Sequence, residues 1–174
     1  MQIPLVMTLI GPDRTGLMES VARTVAEHGG NWLESRMCRL GGEFAGILRI
    51  EIPAEKKAPL LAALEKISGL HVVIHPDETK ISPVNARQTK LEIVGSDRPG
   101  IVREITSALA RAEVNVEEFS SEVVSAPMSG ETLFKASARL QLPEHCDLAA
   151  LKKDLEKIAA DLLVDVSFEE LART

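Results

Sequence analysis

Aromatic residues, cysteines and long apolar runs are scarce in this sequence of 174 residues. It has no tyrosine, one tryptophan and four phenylalanines, so few rings are present that could stack on nucleic-acid bases. Its two cysteines, Cys38 and Cys146, are far apart and form no CxxC pair, which argues against a disulfide framework or a zinc cluster. No run of about 18 apolar residues is present, so we expect no membrane-spanning segment.

An excess of basic charge is also missing. The 26 acidic and 20 basic side chains give a formal net charge of -6, which disfavours direct binding to a phosphate backbone. The two halves differ, since residues 1–80 carry a net charge of -1 and residues 81–174 a net charge of -5. Residues 1–4 (MQIP) lack the basic-then-apolar layout of a secretory signal, and from this we expect a cytoplasmic protein.

The sequence repeats itself at an offset of 84 residues. Residues 11–36 (GPDRTGLMESVARTVAEHGGNWLESR) align without a gap with residues 95–120 (GSDRPGIVREITSALARAEVNVEEFS), and seven of the 26 positions are identical. A repeat of about half the chain is too long for a solenoid unit, so it indicates two copies of one small domain. We predict domains at 1–80 and 89–174, with the polar segment 81–88 as a linker.

The apolar periodicity predicts the same element order in both copies. Residues 3–10 are apolar and β-branched, as in a buried strand, and from Gly16 onwards the apolar residues recur at helical spacing. Gly41-Gly42 is typical of a hairpin turn, and Ser68-Gly69 ends a second helix whose apolar face includes Ile67. The order indicates an α+β fold of two tandem ferredoxin-like βαββαβ domains, each with a four-stranded antiparallel sheet and two helices on one face. In the second copy we predict strand 89–94, helix 100–112, strands 114–124 and 132–142, helix 146–160 and strand 162–168.

A Gly-x-Asp-Arg-x-Gly motif occurs at the predicted strand-to-helix turn of each copy. The first glycine would permit a tight turn, and the second would permit close backbone approach at the start of the helix. Asp13 and Asp97 are candidates for capping the free N–H groups of the following helix. The same N–H groups and the positive end of the helix dipole would suit a carboxylate ligand. A purely structural role for the motif, with turn glycines and a solvated arginine, stays open beside the ligand-binding role.

Asn31 and Asn115 stand where the first helix of each copy gives way to a strand. Asparagine tolerates a left-handed backbone and bonds locally, which favours a turn role, and the alternative is an amide that lines a ligand site near the loop. His71 and His75 share a strand face but have no evident third metal ligand. No Cys–His–Asn set, nucleophile elbow, Walker A loop or GxGxxG loop is present, so we predict no metal site, no cofactor and no enzymatic activity.

These features together resemble the ACT domain family. The resemblance lies in a strand followed by GPDRTGLM (11–18) or GSDRPGIV (95–102), then an asparagine and an extended segment, and it covers nearly the whole chain. The tandem layout and the segment 34–53 (ESRMCRLGGEFAGILRIEIP) are similar to the glycine cleavage system transcriptional repressor group. The first copy departs from the commoner motif at Thr15, where proline is usual.

The resemblance implies a regulatory function. ACT domains often bind amino acids near the first strand–helix loop, and their copies pair within a chain or between chains. The implied protein binds an amino acid, with glycine as a candidate, and acts on transcription through a protein partner such as an activator, without direct contact with nucleic acid or membrane. A free-standing regulatory subunit of a metabolic enzyme and a ligand-free dimerisation module are the alternatives. The ligand-binding residues implied by the resemblance are Gly11, Asp13, Arg14, Gly16, Asn31, Gly95, Asp97, Arg98, Gly100 and Asn115.

Overall fold

The computed structural model describes residues 1–75, 77, 87–126 and 130–170. The chain divides into two compact units, Met1–Lys80 (unit 1) and Ile81–Thr174 (unit 2). In chain order the strands and α-helices are β1 (Gln2–Pro12), α1 (Leu17–Glu27), β2 (Asn31–Leu40), β3 (Glu43–Pro53), α2 (Lys57–Leu64), β4 (His71–His75), β5 (Arg87–Ser96), α3 (Ile101–Arg111), β6 (Asn115–Ser125), β7 (Thr132–Leu142), α4 (Leu148–Leu162) and β8 (Val164–Glu170).

Each unit is one antiparallel sheet with two helices packed on one of its faces. The strand order is β2-β3-β1-β4 in unit 1 and β6-β7-β5-β8 in unit 2, which confirms the predicted ferredoxin-like α+β fold. Alternate strand residues such as Leu5, Met7 and Leu9 are buried against the helices, because successive side chains of a strand point to opposite faces. Unit 1 and unit 2 each have a hydrophobic core of their own.

The glycine hairpin of unit 1 has the predicted geometry. Leu40 pairs with Glu43, so the loop between β2 and β3 is the two residues Gly41 and Gly42. Their φ angles of 61° and 86° are both positive, as a type I′ turn requires. This turn sets the register that brings β2 alongside β3.

Several predicted boundaries in unit 2 differ from the observed ones by up to two residues, and the last strand, predicted over 162–168, is observed as β8 (Val164–Glu170). β5 begins at Arg87, which pairs with Leu142 of β7, so the last two residues of the predicted linker belong to a strand; the rest of that linker lies outside the described residues. Helix α4 runs over Leu148–Leu162 and not over 146–160, because the Asp147 carboxylate accepts hydrogen bonds from the N–H groups two and three residues later and fixes the start there. Of the predicted loop in unit 2, residues 127–129 lie outside the described part of the chain.

Helix α2 is shorter than the apolar spacing predicts. It ends at Leu64, and Ile67 lies in the turn that follows. Ile67 still packs against the core of unit 1, and its carbonyl accepts a hydrogen bond from the N–H of Leu70. The apolar spacing in the sequence therefore extends past the end of α2, because the turn after the helix also places an apolar residue against the core.

Helix α4 ends at a leucine in the left-handed backbone conformation. Leu163 has φ 56° and ψ 43°, and its side chain is 63% exposed. A residue with a Cβ pays about 1–2 kcal/mol in this conformation, whereas glycine does not.

Leu163→Gly should therefore stabilise the protein. After the greater chain entropy of glycine in the unfolded state is subtracted, the expected gain in the free energy of unfolding is about 0.5–1 kcal/mol. Urea unfolding followed by circular dichroism measures it. The control is Lys157→Gly at an exposed position inside the same helix, which should cost about 1 kcal/mol. A loss of stability in Leu163→Gly would contradict the assignment of strain to this position.

Candidate functional site

The two glycines of each motif have the opposite roles from those predicted. The first glycine lies inside a strand, where the backbone of another segment approaches closely. A Cβ on Gly11 would lie 2.8 Å from the carbonyl oxygen of Gly69, and one on Gly95 would lie 2.5 Å from Cα of Val164. The second glycine supplies the turn, since Gly16 and Gly100 have φ angles of 85° and 100° and no atom within 4 Å of an added Cβ.

Neither motif aspartate caps its helix. Gly16 and Gly100 are the residues at the helix starts, and neither helix has a side-chain capping hydrogen bond. The predicted capping role of Asp13 and Asp97 is therefore wrong. The backbone N–H of Asp13 donates to the carbonyl of Gly42 in the β2–β3 turn at 2.8 Å, and that of Asp97 donates to the carbonyl of Thr132, the first residue of β7, at 2.9 Å.

Free backbone donors remain at the start of both helices. In unit 1 the N–H of Leu17 donates to the carbonyl of Arg14 at 3.2 Å, and those of Met18 and Glu19 have no partner among the described residues. In unit 2 the N–H groups of Ile101, Val102 and Arg103 all lack a partner within the described part of the chain. These groups point along the positive end of the helix dipole, which is the arrangement that accepts an anion.

The charged side chains of the first loop are engaged within unit 1. The Asp13 carboxylate lies 2.5 Å from Nε of Arg39, and Arg14 donates through Nη2 to the carbonyl of Ser68 at 3.1 Å. Sequence analysis did not identify Arg39 or Ser68 as partners. The Gly41-Gly42 turn alone does not identify Arg39, because β3 lies between β2 and β1 and its pairing with β1 is also needed to bring Arg39 near Asp13.

The charged side chains of the second loop are not engaged. Asp97 and Arg98 are exposed and make no side-chain hydrogen bond or ion pair with the residues that the structure describes. Serine replaces proline at the second motif position of this loop, and Pro99 precedes its turn glycine. The second loop therefore offers an unpaired carboxylate, an unpaired guanidinium and three free backbone N–H groups in one short segment.

The two asparagines lie at the other end of the sheet from the loop of their own unit. Asn31 pairs with Glu51, which in turn pairs with Pro4 near the start of β1, whereas Gly11 is near its end. A strand rises about 3.4 Å per residue, so this separation is about 24 Å along β1. Asn115 has the same position in unit 2. It pairs with Gln141 of β7, which in turn pairs with Gln88 near the start of β5.

One small ligand cannot contact the loop and the asparagine of the same unit. The hypothesis that each asparagine lines the site near its own loop is therefore wrong. The turn role is also not supported, because the left-handed residues before the strands are Gly29 and Glu113, two positions earlier. They end helices α1 and α3, where the N–H of each donates to a carbonyl three residues back, Ala26 or Ala110.

No metal site is formed by the histidines and acidic residues described. The structure contains no group of three or more His, Cys, Asp or Glu side chains that could hold a metal ion, as far as residues 1–75, 77, 87–126 and 130–170 are concerned. His75 instead shares a 2.9 Å hydrogen bond with the Thr8 hydroxyl on the sheet. Over the same described residues, no helix is both long enough and apolar enough to cross a membrane.

The fold and the doubled strand–loop–helix motif define a pair of small ferredoxin-like α+β modules. The sequence profile of the ACT domain matches residues 4–75 and again residues 91–169. The chain belongs to the ACT domain family, in two consecutive copies.

Individual relatives share this layout to different extents. The glycine cleavage system transcriptional repressor of Escherichia coli is 22% identical over 167 residues, which covers 94% of this chain and 85% of the relative. The UPF0237 protein of Methanopyrus kandleri is 35% identical over 75 residues, 42% of this chain and 77% of that protein. A crystal structure of an unknown protein from Galdieria sulphuraria superimposes with a TM-score of 0.89 at 28% identity, covering 99% of this chain and 100% of that chain.

A second solved structure has the same fold at lower similarity. It is the crystal structure of a protein assigned as a glycine cleavage system transcriptional repressor, with a TM-score of 0.69 and 19% identity. The superposition covers 98% of this chain and 99% of the other. The two-copy arrangement of secondary-structure elements is therefore found along the whole length of both proteins.

Proposed function

We propose that this protein is an amino-acid-responsive regulator that acts on transcription through a protein partner. The observation that carries the proposal is the second loop, where unpaired charges of both signs adjoin free helix N–H groups. Membership of the ACT domain family supports an amino acid as the ligand class, and the similarity to the E. coli glycine cleavage repressor supports a role in transcription.

The second loop suits the two charged ends of an amino acid. The carboxylate of the ligand would accept hydrogen bonds from the N–H groups of Val102 and Arg103, where the helix dipole favours negative charge. The Asp97 carboxylate would hold the ammonium group. The first loop is less suited, because Asp13 is already paired with Arg39.

The charge of the chain supports action through a protein and not through DNA. The formal net charge is -6, and unit 2, which carries the better loop, accounts for most of it. A surface of this sign repels a phosphate backbone. Regulation would then arise because the amino acid favours one state of the protein in its complex with the partner, a coupling of typically about 1–3 kcal/mol.

A thermal-shift screen against the twenty amino acids, beginning with glycine, tests ligand binding. A ligand at about 100 times its Kd adds about 2.7 kcal/mol, which should raise Tm by about 5–10 °C for a chain of this size. Asp97→Asn should abolish the shift, because it removes the charge that holds the ammonium group.

The matched control is Asp13→Asn, the same change at the equivalent position of the first loop, which should keep the shift. An equal shift in Asp97→Asn and the wild type would contradict the second-loop site. The absence of any shift across the screen would contradict amino-acid binding.

The partner is tested separately. The tagged chain, with and without the amino acid identified above, should capture a transcription factor from cell extract in an amino-acid-dependent manner, and the purified chain alone should not retard promoter DNA in a gel. Retardation by the chain alone, or capture of a metabolic enzyme whose activity the chain changes, would contradict this mechanism.

A further inference from the structure

Unit 1 has apolar side chains on the sheet face that its helices do not cover. Successive residues of a strand point to opposite faces, so the residues on either side of the buried Met7 lie on this second face, here called the open face. Ile10 is 43% exposed, and Ile47 and Val73 are each 55% exposed. Further apolar groups on the open face are Val6, Ala45 and Cys38.

The register of the strands joins these side chains into one patch. Thr8 of β1 pairs with Ile47 on one side and with Val73 on the other. In the next row of the sheet, Ala45 pairs with both Ile10 and Cys38. Side chains of directly paired residues are about 5 Å apart, so the apolar groups are continuous across all four strands. A continuous exposed apolar patch on a sheet is typical of an interaction surface, whereas scattered apolar residues are not.

The equivalent face of unit 2 is polar. Positions are matched by the strand pairings, since Glu92 of β5 has the same two neighbours in its sheet as Thr8 has in unit 1. Val94, the equivalent of Ile10, is an apolar exception. The residues of unit 2 that match Val6, Thr8, Ala45, Ile47, Val73 and Cys38 are, in that order, Lys90, Glu92, Lys135, Ser137, Ser167 and Glu122. The fold therefore does not require an apolar open face, and the patch is a feature of unit 1.

The charges that adjoin the patch are compensated within unit 1. The Thr8 hydroxyl at its centre shares a hydrogen bond with His75. The charged residues paired with Ile47 and Val6 form ion pairs with acidic neighbours, Arg36 with Glu34 at 3.4 Å and Arg49 with Asp77 at 3.0 Å. An occupant therefore meets an apolar centre and a margin of paired charges. A charged surface, such as the open face of unit 2, would lose its hydration there without gaining partners.

A second copy of the open face of unit 1 meets these requirements. Its apolar centre is matched by an apolar centre, as an isologous contact about a two-fold axis requires. The strands of unit 1 have 5 to 11 residues, so four of them present about 600 Å² per copy and about 1,200 Å² for two, which reaches the area of specific interfaces. Two sheets packed face to face about 10 Å apart are also a stable arrangement in proteins.

We propose that two copies of the chain associate through the open faces of unit 1, sheet against sheet. The contact uses the flat surface of the sheet and not the edges of its outer strands. It is independent of the second loop of unit 2 and of the function proposed for that loop.

Sedimentation velocity of the full-length chain over a range of concentrations tests the association. The wild type should pass from monomer to dimer, and Val73→Lys should raise the dimer Kd at least about 100-fold, because each interface then buries two uncompensated charges. Val73 is exposed on the outer strand β4, where lysine is readily accommodated, so the variant should fold with an unchanged circular dichroism spectrum. The matched control is Ser167→Lys, the same substitution at the equivalent position of unit 2, which should leave the Kd unchanged.

The thiol of Cys38 tests which surface is used, without any substitution. Cys38 is exposed and lies on the open face beside Ala45, whereas Cys146 is buried. Its initial rate of reaction with dithiobis(nitrobenzoate) should fall about ten-fold when nine-tenths of the chain is dimeric, because only the monomer reacts. A dimer joined through strand edges would leave this thiol exposed at every concentration.

Three results would overturn the proposal. A chain that stays monomeric at every concentration would exclude a second copy and leave the open face to a different protein. A dimer whose Cys38 reacts as fast as in the monomer would place the contact elsewhere. Equal weakening in Val73→Lys and Ser167→Lys would mean that the added charge acts without regard to the face that carries it. Asp97→Asn should leave the dimer Kd unchanged, so a failure of the second loop and a failure of the open face give different results.

Discussion

Gly95→Ala should destabilise unit 2 by about 3 kcal/mol, the upper end of the usual cost of overpacking. The added Cβ would lie 2.5 Å from Cα of Val164 and 2.6 Å from the carbonyl oxygen of Leu163. Both are backbone atoms, so relief of the clash requires β8 to move away from β5, to which it is hydrogen-bonded. Urea unfolding of the full-length chain, followed by circular dichroism, measures the loss.

The second glycine of the same motif is the matched control. Gly100→Ala adds a Cβ with no heavy atom within 4 Å, so its cost is the strain at φ 100° alone, about 1–2 kcal/mol. The order of the two effects distinguishes close approach at the first glycine from turn geometry at the second. A larger loss at Gly100 than at Gly95 would contradict the roles that the structure gives them.

The element order could be predicted because it depends on local patterns. Alternation such as Leu5, Met7 and Leu9 identifies a strand with one buried face, and Gly41-Gly42 identifies the turn that follows β2. The repeat at an offset of 84 residues then predicts the same order of elements in the second copy. The resemblance to the ACT domain family could be inferred from the sequence because it rests on the same short motif and its repetition.

The roles of individual motif residues could not be predicted because they depend on distant partners. Gly11 is required by the backbone at Gly69, far along the chain, and Asp13 is paired with Arg39 across the hairpin. Nothing near the motif in sequence distinguishes this ion pair from a helix cap. The free carboxylate of Asp97 also becomes evident only when its surroundings are known.

The positions of the two asparagines relative to the loops could also not be predicted from the local sequence. Asn31 is only 15 residues after Gly16 in the sequence, but helix α1 carries the chain back along the sheet before β2 begins. The prediction placed the loop residues and the asparagine of each copy at one site because they are close in sequence, but the helix between them places them at opposite ends of the sheet.

Ile101→Ala should cost about 2–5 kcal/mol, because Ile101 is 2% exposed and part of the core of unit 2. It is the first residue of α3 and directly follows the turn glycine, so it fixes the helix start to the core. Its loss should also reduce the thermal shift produced by an amino acid at the second loop, since the N–H groups that bind the carboxylate belong to this first turn.

Two further variants distinguish the anchoring of the start of α3 by Ile101 from a general effect of substitution on the stability of that helix. Ile101→Val keeps most of the side chain and should cost about 0.5–1.5 kcal/mol with the ligand-induced shift retained. Val102→Ala changes the neighbouring residue, which is 40% exposed, and should alter stability by about 0.5 kcal/mol or less. Equal losses of stability in Ile101→Ala and Val102→Ala would mean that burial of Ile101 does not hold the start of α3. With Ile101→Ala still folded, an undiminished ligand shift would mean that the carboxylate does not depend on the N–H groups of that turn.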